Sequence, residues 1–281
     1  MASTIDEALE AEYALRRRHP ERDAVYARHL QRGAMVRAAG RCDLDVRYGS
    51  GPRATLDIYH AADSSRLLVF VHGGYWRALD KTYVAFIAEA YRRAGITVAM
   101  PGYDLVPDLR IEEIADQIRE AFKFAADILS PREIVVAGHS AGAQLAAMLA
   151  LDQSQLRSGG PIVGFAGVSG VFDLRPLLRT SINADLGLTI EDAARASPAL
   201  RLECLPLASK LPTCLTIVGG NETQGFKEWS RDFDARWRHR NGAARCMVVD
   251  GATHFSILDH IADPDDPACA AVLGLFSRSS G

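Results

Sequence analysis

The sequence predicts an α/β fold, with a mostly parallel central sheet, helices on both faces and one small insertion. Three observations carry that reading. Short β-branched runs end in glycine or a polar residue, as in "RLLVFVHGG", "EIVVAGHS" and "CLTIVGG". Helical patterns such as "RIEEIADQIREAFKFAADILS" separate them. One connection, 172–203, is longer and more polar than an ordinary crossover. Continuous apolar runs of strand length belong to strands buried on both faces, and their alternation with helices implies parallel crossovers.

In chain order, a polar, helix-prone segment reaches to about Gly40. Next comes a hairpin from "DLDVRYG" and "ATLDIYHA", turning at Gly49-Ser50-Gly51-Pro52, because alternating residues are bounded there by turn formers. "RLLVFVHGG", "GITVAMPGY", "EIVVAGHS", "IVGFAGVSG", "CLTIVGG" and "ARCMVVDGA" read as buried parallel strands. "KTYVAFIAEAYRRAG" reads as the helix after the first of them. The segment from Phe172 to Glu203 reads as a lid or insertion within a single domain, not as a second domain. The pattern contains no internal repeat and no low-complexity tract.

At 281 residues, 48% hydrophobic and 24% charged, the chain can bury one large core. A net charge of -3 gives no basic face for nucleic acid, and the run Arg16-Arg17-Arg18-His19 reads as a solvated helix face. The N-terminus carries acids early and lacks the apolar core of a signal peptide, and no stretch is long and apolar enough to cross a bilayer. The five cysteines, Cys42, Cys204, Cys214, Cys246 and Cys269, are odd in number and scattered, which points to unpaired thiols in a reducing cytoplasm. None has metal-ligand spacing, so neither a metal nor another cofactor is expected. The expected partner is a small-molecule substrate, with no nucleic acid and no membrane; the sequence leaves homo-oligomerisation open.

The chemistry concentrates where apolar runs end, as expected for sites beyond the C-terminal ends of parallel strands. Gly138-His139-Ser140-Ala141-Gly142 fits G-x-S-x-G between a β-branched run and an Ala- and Leu-rich helix. In such an elbow a tight turn exposes the serine over a helix N-terminus, whose free N–H groups favour developing negative charge. The alternative is a plain strand–helix turn. A serine hydroxyl is a weak nucleophile, so the elbow calls for a histidine base and a carboxylate to orient it. His254, in a short loop after "CMVVDGA", fits the order serine, acid, histidine; its other reading is a loop histidine capping the next helix. Glu222 follows "CLTIVGG" and is the first candidate acid, with Asp173 and Asp250 as alternatives and a solvated loop glutamate as its other reading. Asp232 and Asp234 look like surface positions on a helix.

A second motif, His72-Gly73-Gly74-Tyr75-Trp76, closes an earlier strand. Its glycines allow close backbone approach, so N–H groups at Gly74 and Tyr75 can join that of Ala141 in an oxyanion hole. Its bland reading is a Gly-Gly turn with two core aromatics. Tyr75 and Trp76 read either as an aromatic wall for a planar substrate or as buried supports.

These motifs resemble the kynurenine formamidases (arylformamidases) of the α/β-hydrolase fold, neighbours of the hormone-sensitive-lipase-like esterases. The likeness rests on "HGGYW" at 72–76, "GHSAGAQLA" at 138–146, "SGVFDLRPL" at 169–177 and "HFSILDHIADP" at 254–264, with "YGSGPRATLDIY" at 48–59 matching the opening strands. It implies hydrolysis of an aryl formamide such as N-formylkynurenine to formate and the free amine, often with activity on small aryl esters. Ser140 would be the nucleophile and His254 the base, with Gly74, Tyr75 and Ala141 forming the oxyanion hole. The chain departs from the family pattern at Glu222, where Asp is usual, and at Gly102, where Asn is commoner. A broad carboxylesterase with the same triad is the rival activity, because fold and triad do not fix the leaving group. A non-catalytic binding protein that retains the pocket is a third reading.

Overall fold

Successive side chains of a strand point to opposite faces, and here both faces are covered. In a computed structural model, which describes residues 4–62, 65–152, 159–206 and 208–276, Leu67, Val69 and Val71 join one apolar cluster while Leu68 and Phe70 join the other. The strands are β1 (Cys42–Arg47), β2 (Thr55–Tyr59), β3 (Arg66–Val71), β4 (Thr97–Pro101), β5 (Glu133–His139), β6 (Ile162–Val168), β7 (Thr213–Gly219) and β8 (Ala244–Val249). They form one eight-stranded sheet in the order β1-β2-β4-β3-β5-β6-β7-β8. The pairs β1–β2 and β2–β4 are antiparallel, and every pairing from β4 through β8 is parallel. The expected hairpin and six parallel strands are therefore present. β8 is not buried as expected: it is the sheet edge, paired only to β7, and leaves Val248 39% exposed.

The helices are α1 (Glu7–Tyr13), α2 (Arg22–Ala38), α3 (Ala88–Arg93), α4 (Ile111–Leu129), α5 (Ala141–Leu151), α6 (Asn183–Leu186), α7 (Ile190–Arg195), α8 (Pro198–Cys204), α9 (Gln224–His239), α10 (Ile257–Ile261) and α11 (Pro267–Leu273). α4, α5 and α9 pack on one face, while α3, α10 and α11 pack on the other. α4 shows why such a segment is helical. Ile111, Ile114, Ala115, Ile118, Phe122 and Ala125 recur at three- and four-residue spacing and are all buried. Its first turn is closed by the Glu113 carboxylate, which accepts the Arg110 N–H at 2.8 Å.

The stretch "KTYVAFIAEAYRRAG" is not one helix. It forms two 3₁₀ turns, Lys81–Tyr83 and Ala85–Ile87, before the short α3. Lys81 is drawn into a polar cluster with Asp45, Thr55 and Asp57, and Asp80 caps the first turn by accepting the Thr82 N–H at 2.7 Å. The β-branched and aromatic Thr82, Tyr83 and Val84 add little helical propensity to resist this. The segment 172–203 folds into a 3₁₀ turn (Arg175–Arg179), α6, α7 and the start of α8. Among the described residues no helix is long and apolar enough to cross a membrane.

Candidate active site

Between the end of β5 and the start of α5, Ser140 adopts φ 56° and ψ −121°, a conformation that non-glycine residues avoid. The surroundings hold it there. Its N–H donates to Val168 O at 2.9 Å, and its carbonyl accepts from Ala143 N at 3.0 Å. The flanking glycines are required by contact. A Cβ on Gly138 would lie 2.2 Å from Gly142 O, and one on Gly142 would lie 2.2 Å from Val71 O. The elbow thus works as a turn because two backbones approach too closely for any side chain.

His254, only 3% exposed, sits in the loop between β8 and α10. Its Nδ1 lies 2.8 Å from Glu222 Oε2, while Glu222 Oε1 accepts from Ser169 Oγ at 2.5 Å and from Gly219 N at 2.7 Å. Three donors therefore fix one buried carboxylate, which in turn fixes the imidazole. The other acids lie elsewhere. Asp173 pairs with Arg175 at 2.6 Å, and Asp250 is exposed in the turn after β8. Asp234, expected on the surface, is buried on α9 beside Arg238, and loss of water raises its pKa. Asp232 is exposed as expected.

His139 is also buried at the elbow, and its Nε2 donates to His254 O at 2.8 Å. Desolvation, then the neighbouring His254, drive its pKa well below the usual histidine range, so it stays neutral. It braces the backbone of the loop that carries His254.

At the end of β3, Gly74 (φ 116°), Tyr75 (φ 50°) and Trp76 (φ 57°) turn the chain sharply towards the elbow. A Cβ on Gly74 would meet Ala78 O at 2.1 Å. Among the described residues no backbone acceptor pairs with the N–H of Gly74 or Tyr75, and Ala141, first in α5, has no intrahelical acceptor for its own. His72 stacks on Tyr103 with ring centroids 4.2 Å apart, and the Tyr103 hydroxyl donates to His72 O at 2.9 Å, which anchors the turn. Burial pushes the His72 pKa down to about 4.

Tyr75 lines the cavity over Ser140, but Trp76 does not form the aromatic wall considered for it. Trp76 is fully buried, and its indole N–H donates to Gln144 Oε1 at 2.9 Å while Gln144 Nε2 donates to Ala196 O at 2.8 Å. Positive φ swings this ring into the core, where it ties the strand end to α5 and to the segment after Phe172. Gly102 has a local reason as well: a Cβ there would lie 2.8 Å from Arg53 O.

Ser140, His254, Gly74 and Tyr75 face one cavity of about 440 Å³. Ser181 and Ile182, from the 172–203 segment, form part of its wall. So do Leu15, Arg16 and Tyr26, which sequence reasoning did not assign to the site. In the run from Arg16 to His19, Arg16 and Arg18 are exposed as expected, but the segment is a 3₁₀ turn and its exit, and His19 is buried edge-on against Phe255.

Comparison with known proteins agrees with this geometry. A family model described as alpha/beta hydrolase fold matches residues 68–258. A kynurenine formamidase from Salmo salar is 32% identical over 242 residues, covering 84% of this chain and 82% of the relative. A crystal structure from Silicibacter, described as a candidate thioesterase, superposes with a TM-score of 0.84 at 31% identity over 94% of this chain and 98% of its own. Esterase B from Lactobacillus rhamnosis shares the fold, with a TM-score of 0.70 at 18% identity over 96% and 93% of the two chains. By the extent and identity of these matches, the chain belongs to the kynurenine formamidase family of the α/β-hydrolase fold.

Proposed function

We propose that this protein is a serine hydrolase that cleaves an aryl formamide such as N-formylkynurenine to formate and the free amine. The observation that carries the reading is the 2.8 Å contact between Glu222 and His254 Nδ1 beside a cavity that Ser140 also faces. With Nδ1–H committed to Glu222, Nε2 is the basic nitrogen left for the serine proton. Ser140 Oγ attacks the formyl carbon as His254 takes its proton. The carbonyl oxygen becomes an oxyanion between the N–H groups of Gly74, Tyr75 and Ala141, each such donor being worth about 3 kcal/mol. Collapse expels the arylamine, which takes the proton from His254. Water, deprotonated by the same imidazole, then releases formate and regenerates Ser140. No cofactor enters this sequence. The 172–203 segment serves as the lid over the site, and a cytoplasmic location belongs to the same reading.

A carboxylesterase reading has in its favour the thioesterase description of the 31% identical Silicibacter structure, since a thioester and an ester are cleaved by the same acyl transfer to serine. The two separate by measuring kcat/KM on N-formylkynurenine and on p-nitrophenyl acetate, with Ser140→Ala as control. Strong preference for the formamide, abolished in the variant, supports the formamidase. Ester turnover with negligible formamide turnover would keep the triad and replace the substrate.

A further inference from the structure

The charged side chains in the wall of the cavity over Ser140 are not all in ion pairs. Besides the two histidines they are Arg16, Arg22, Arg77, Glu10 and Asp23. Four of the five are already engaged. Arg22 holds Asp23 at 2.7 Å, and Arg77 pairs with Asp185 outside the cavity. Glu10 accepts the Ser181 N–H at 2.7 Å and its hydroxyl at 2.6 Å. Arg16 has no ion pair or hydrogen bond among the described residues.

The Arg16 side chain is exposed, but its backbone is held in place. It lies on the 3₁₀ turn Leu15–Arg17, whose first residue is buried and whose exit is fixed by His19 packed against Phe255, the neighbour of His254. The turn is therefore tied to the loop that carries the catalytic base. Arg16 and Arg77 line the same cavity, and burial together with the positive charge of Arg16 holds the Arg77 guanidinium below its usual range. A guanidinium presents a planar donor fork that matches a carboxylate, and Arg16 is the cation of this wall that no described carboxylate holds.

We propose that Arg16 forms a carboxylate subsite that selects substrates whose aryl leaving group bears an anionic side arm. This rests on the formamidase reading and sharpens it: N-formylkynurenine carries an amino-acid carboxylate on the aryl portion, whereas a plain anilide does not. Arg16 touches no reacting atom. It acts as a specificity residue by orienting the leaving-group end of the substrate.

The test is Arg16→Gln, assayed on N-formylkynurenine, on its neutral carboxamide and on formanilide. Loss of one charge-assisted contact should raise KM for N-formylkynurenine by about tenfold while leaving kcat within about twofold. Kinetics on the carboxamide and on formanilide should not change, and Arg16→Lys should recover part of the loss. Equal losses on charged and neutral substrates would show a merely structural role, and no loss on any would show an idle arginine; either overturns the subsite. If the wild-type enzyme cleaves no formamide, the formamidase reading fails separately. The subsite is then decided on 4-acetoxybenzoate against phenyl acetate: a preference for the carboxylate ester that Arg16→Gln removes sustains it, and any other pattern overturns it.

Discussion

The Tyr75 hydroxyl donates to the Tyr13 carbonyl at 2.8 Å, so the turn beside Ser140 is tethered to the last residue of α1. Tyr13 is itself stacked on Trp229, with ring centroids 4.2 Å apart, and burial raises the Tyr75 pKa so that it remains a donor. Tyr75→Phe removes the donor and leaves a part-buried carbonyl unpaired. The expected cost is about 1 kcal/mol, a fall in Tm of roughly 2–4 °C for a chain of this size. Because the tether acts on the turn whose N–H groups face the developing oxyanion, kcat should fall several-fold with KM little changed. Thermal melts and steady-state kinetics read both effects, and a variant identical to wild type in each would show that the tether is idle.

Glu222 accepts from three directions, and a carboxamide cannot satisfy all three. In Glu222→Gln, an amide nitrogen turned towards His254 meets a donor, while one turned inwards meets Ser169 Oγ and Gly219 N. The tautomer of His254 is then no longer fixed, and kcat/KM should drop on the order of 10³-fold. Asp173→Asn should stay within about threefold, since that carboxylate is held by Arg175. Similar losses in both variants would remove Glu222 from its assigned role.

The parallel sheet and the elbow were legible because their signals are local. The inner strands are apolar on both sides, and Gly138-His139-Ser140-Ala141-Gly142 requires its glycines within a few residues of the serine at the turn. The cavity wall was not legible, because Leu15, Arg16 and Tyr26 reach it through distant ties. Arg28 and Arg32 of α2, for example, both bind Asp259 on α10, each at 2.6 Å. Trp76 was readable as an aromatic beside the site, but its direction depends on a positive φ and on Gln144, neither of which has a pattern in the sequence. Asp234 could have been found. It stands four residues after Ser230 and three before Trp237, both buried, and so falls on the inner face of α9.

Burial of His72 has a consequence for acid stability. With its folded pKa lowered to about 4, His72 stays neutral in the fold, while the unfolded chain binds a proton near pH 6.5. The stability linked to this group is therefore fully present above pH 6.5 and is lost as pH falls towards 4, by an amount on the order of 3 kcal/mol. His139, shifted in the same direction, adds to the loss in the acid range. Denaturant unfolding of His72→Asn should show a shallower decline between pH 6.5 and 4 than wild type. Parallel pH profiles would assign the decline to other groups.

Gly142→Ala separates the packing of the elbow from its chemistry. A methyl at this position would lie 2.2 Å from Val71 O and 2.3 Å from His72 O, both backbone atoms of the neighbouring strand end. Neither can swing aside as a side-chain tip could, so α5 or the end of β3 must move. Alanine improves helix propensity by about 1 kcal/mol, which is less than the roughly 3 kcal/mol expected for such overpacking. The variant should melt several degrees below wild type, and what remains folded should be poorly active because Ser140 and the N–H groups of Gly74 and Tyr75 shift apart. Ser140→Ala keeps the same Cβ and the same φ, so it should melt close to wild type while losing turnover. If Gly142→Ala instead kept both its melting temperature and its activity, close backbone approach could not be the reason for glycine at this position.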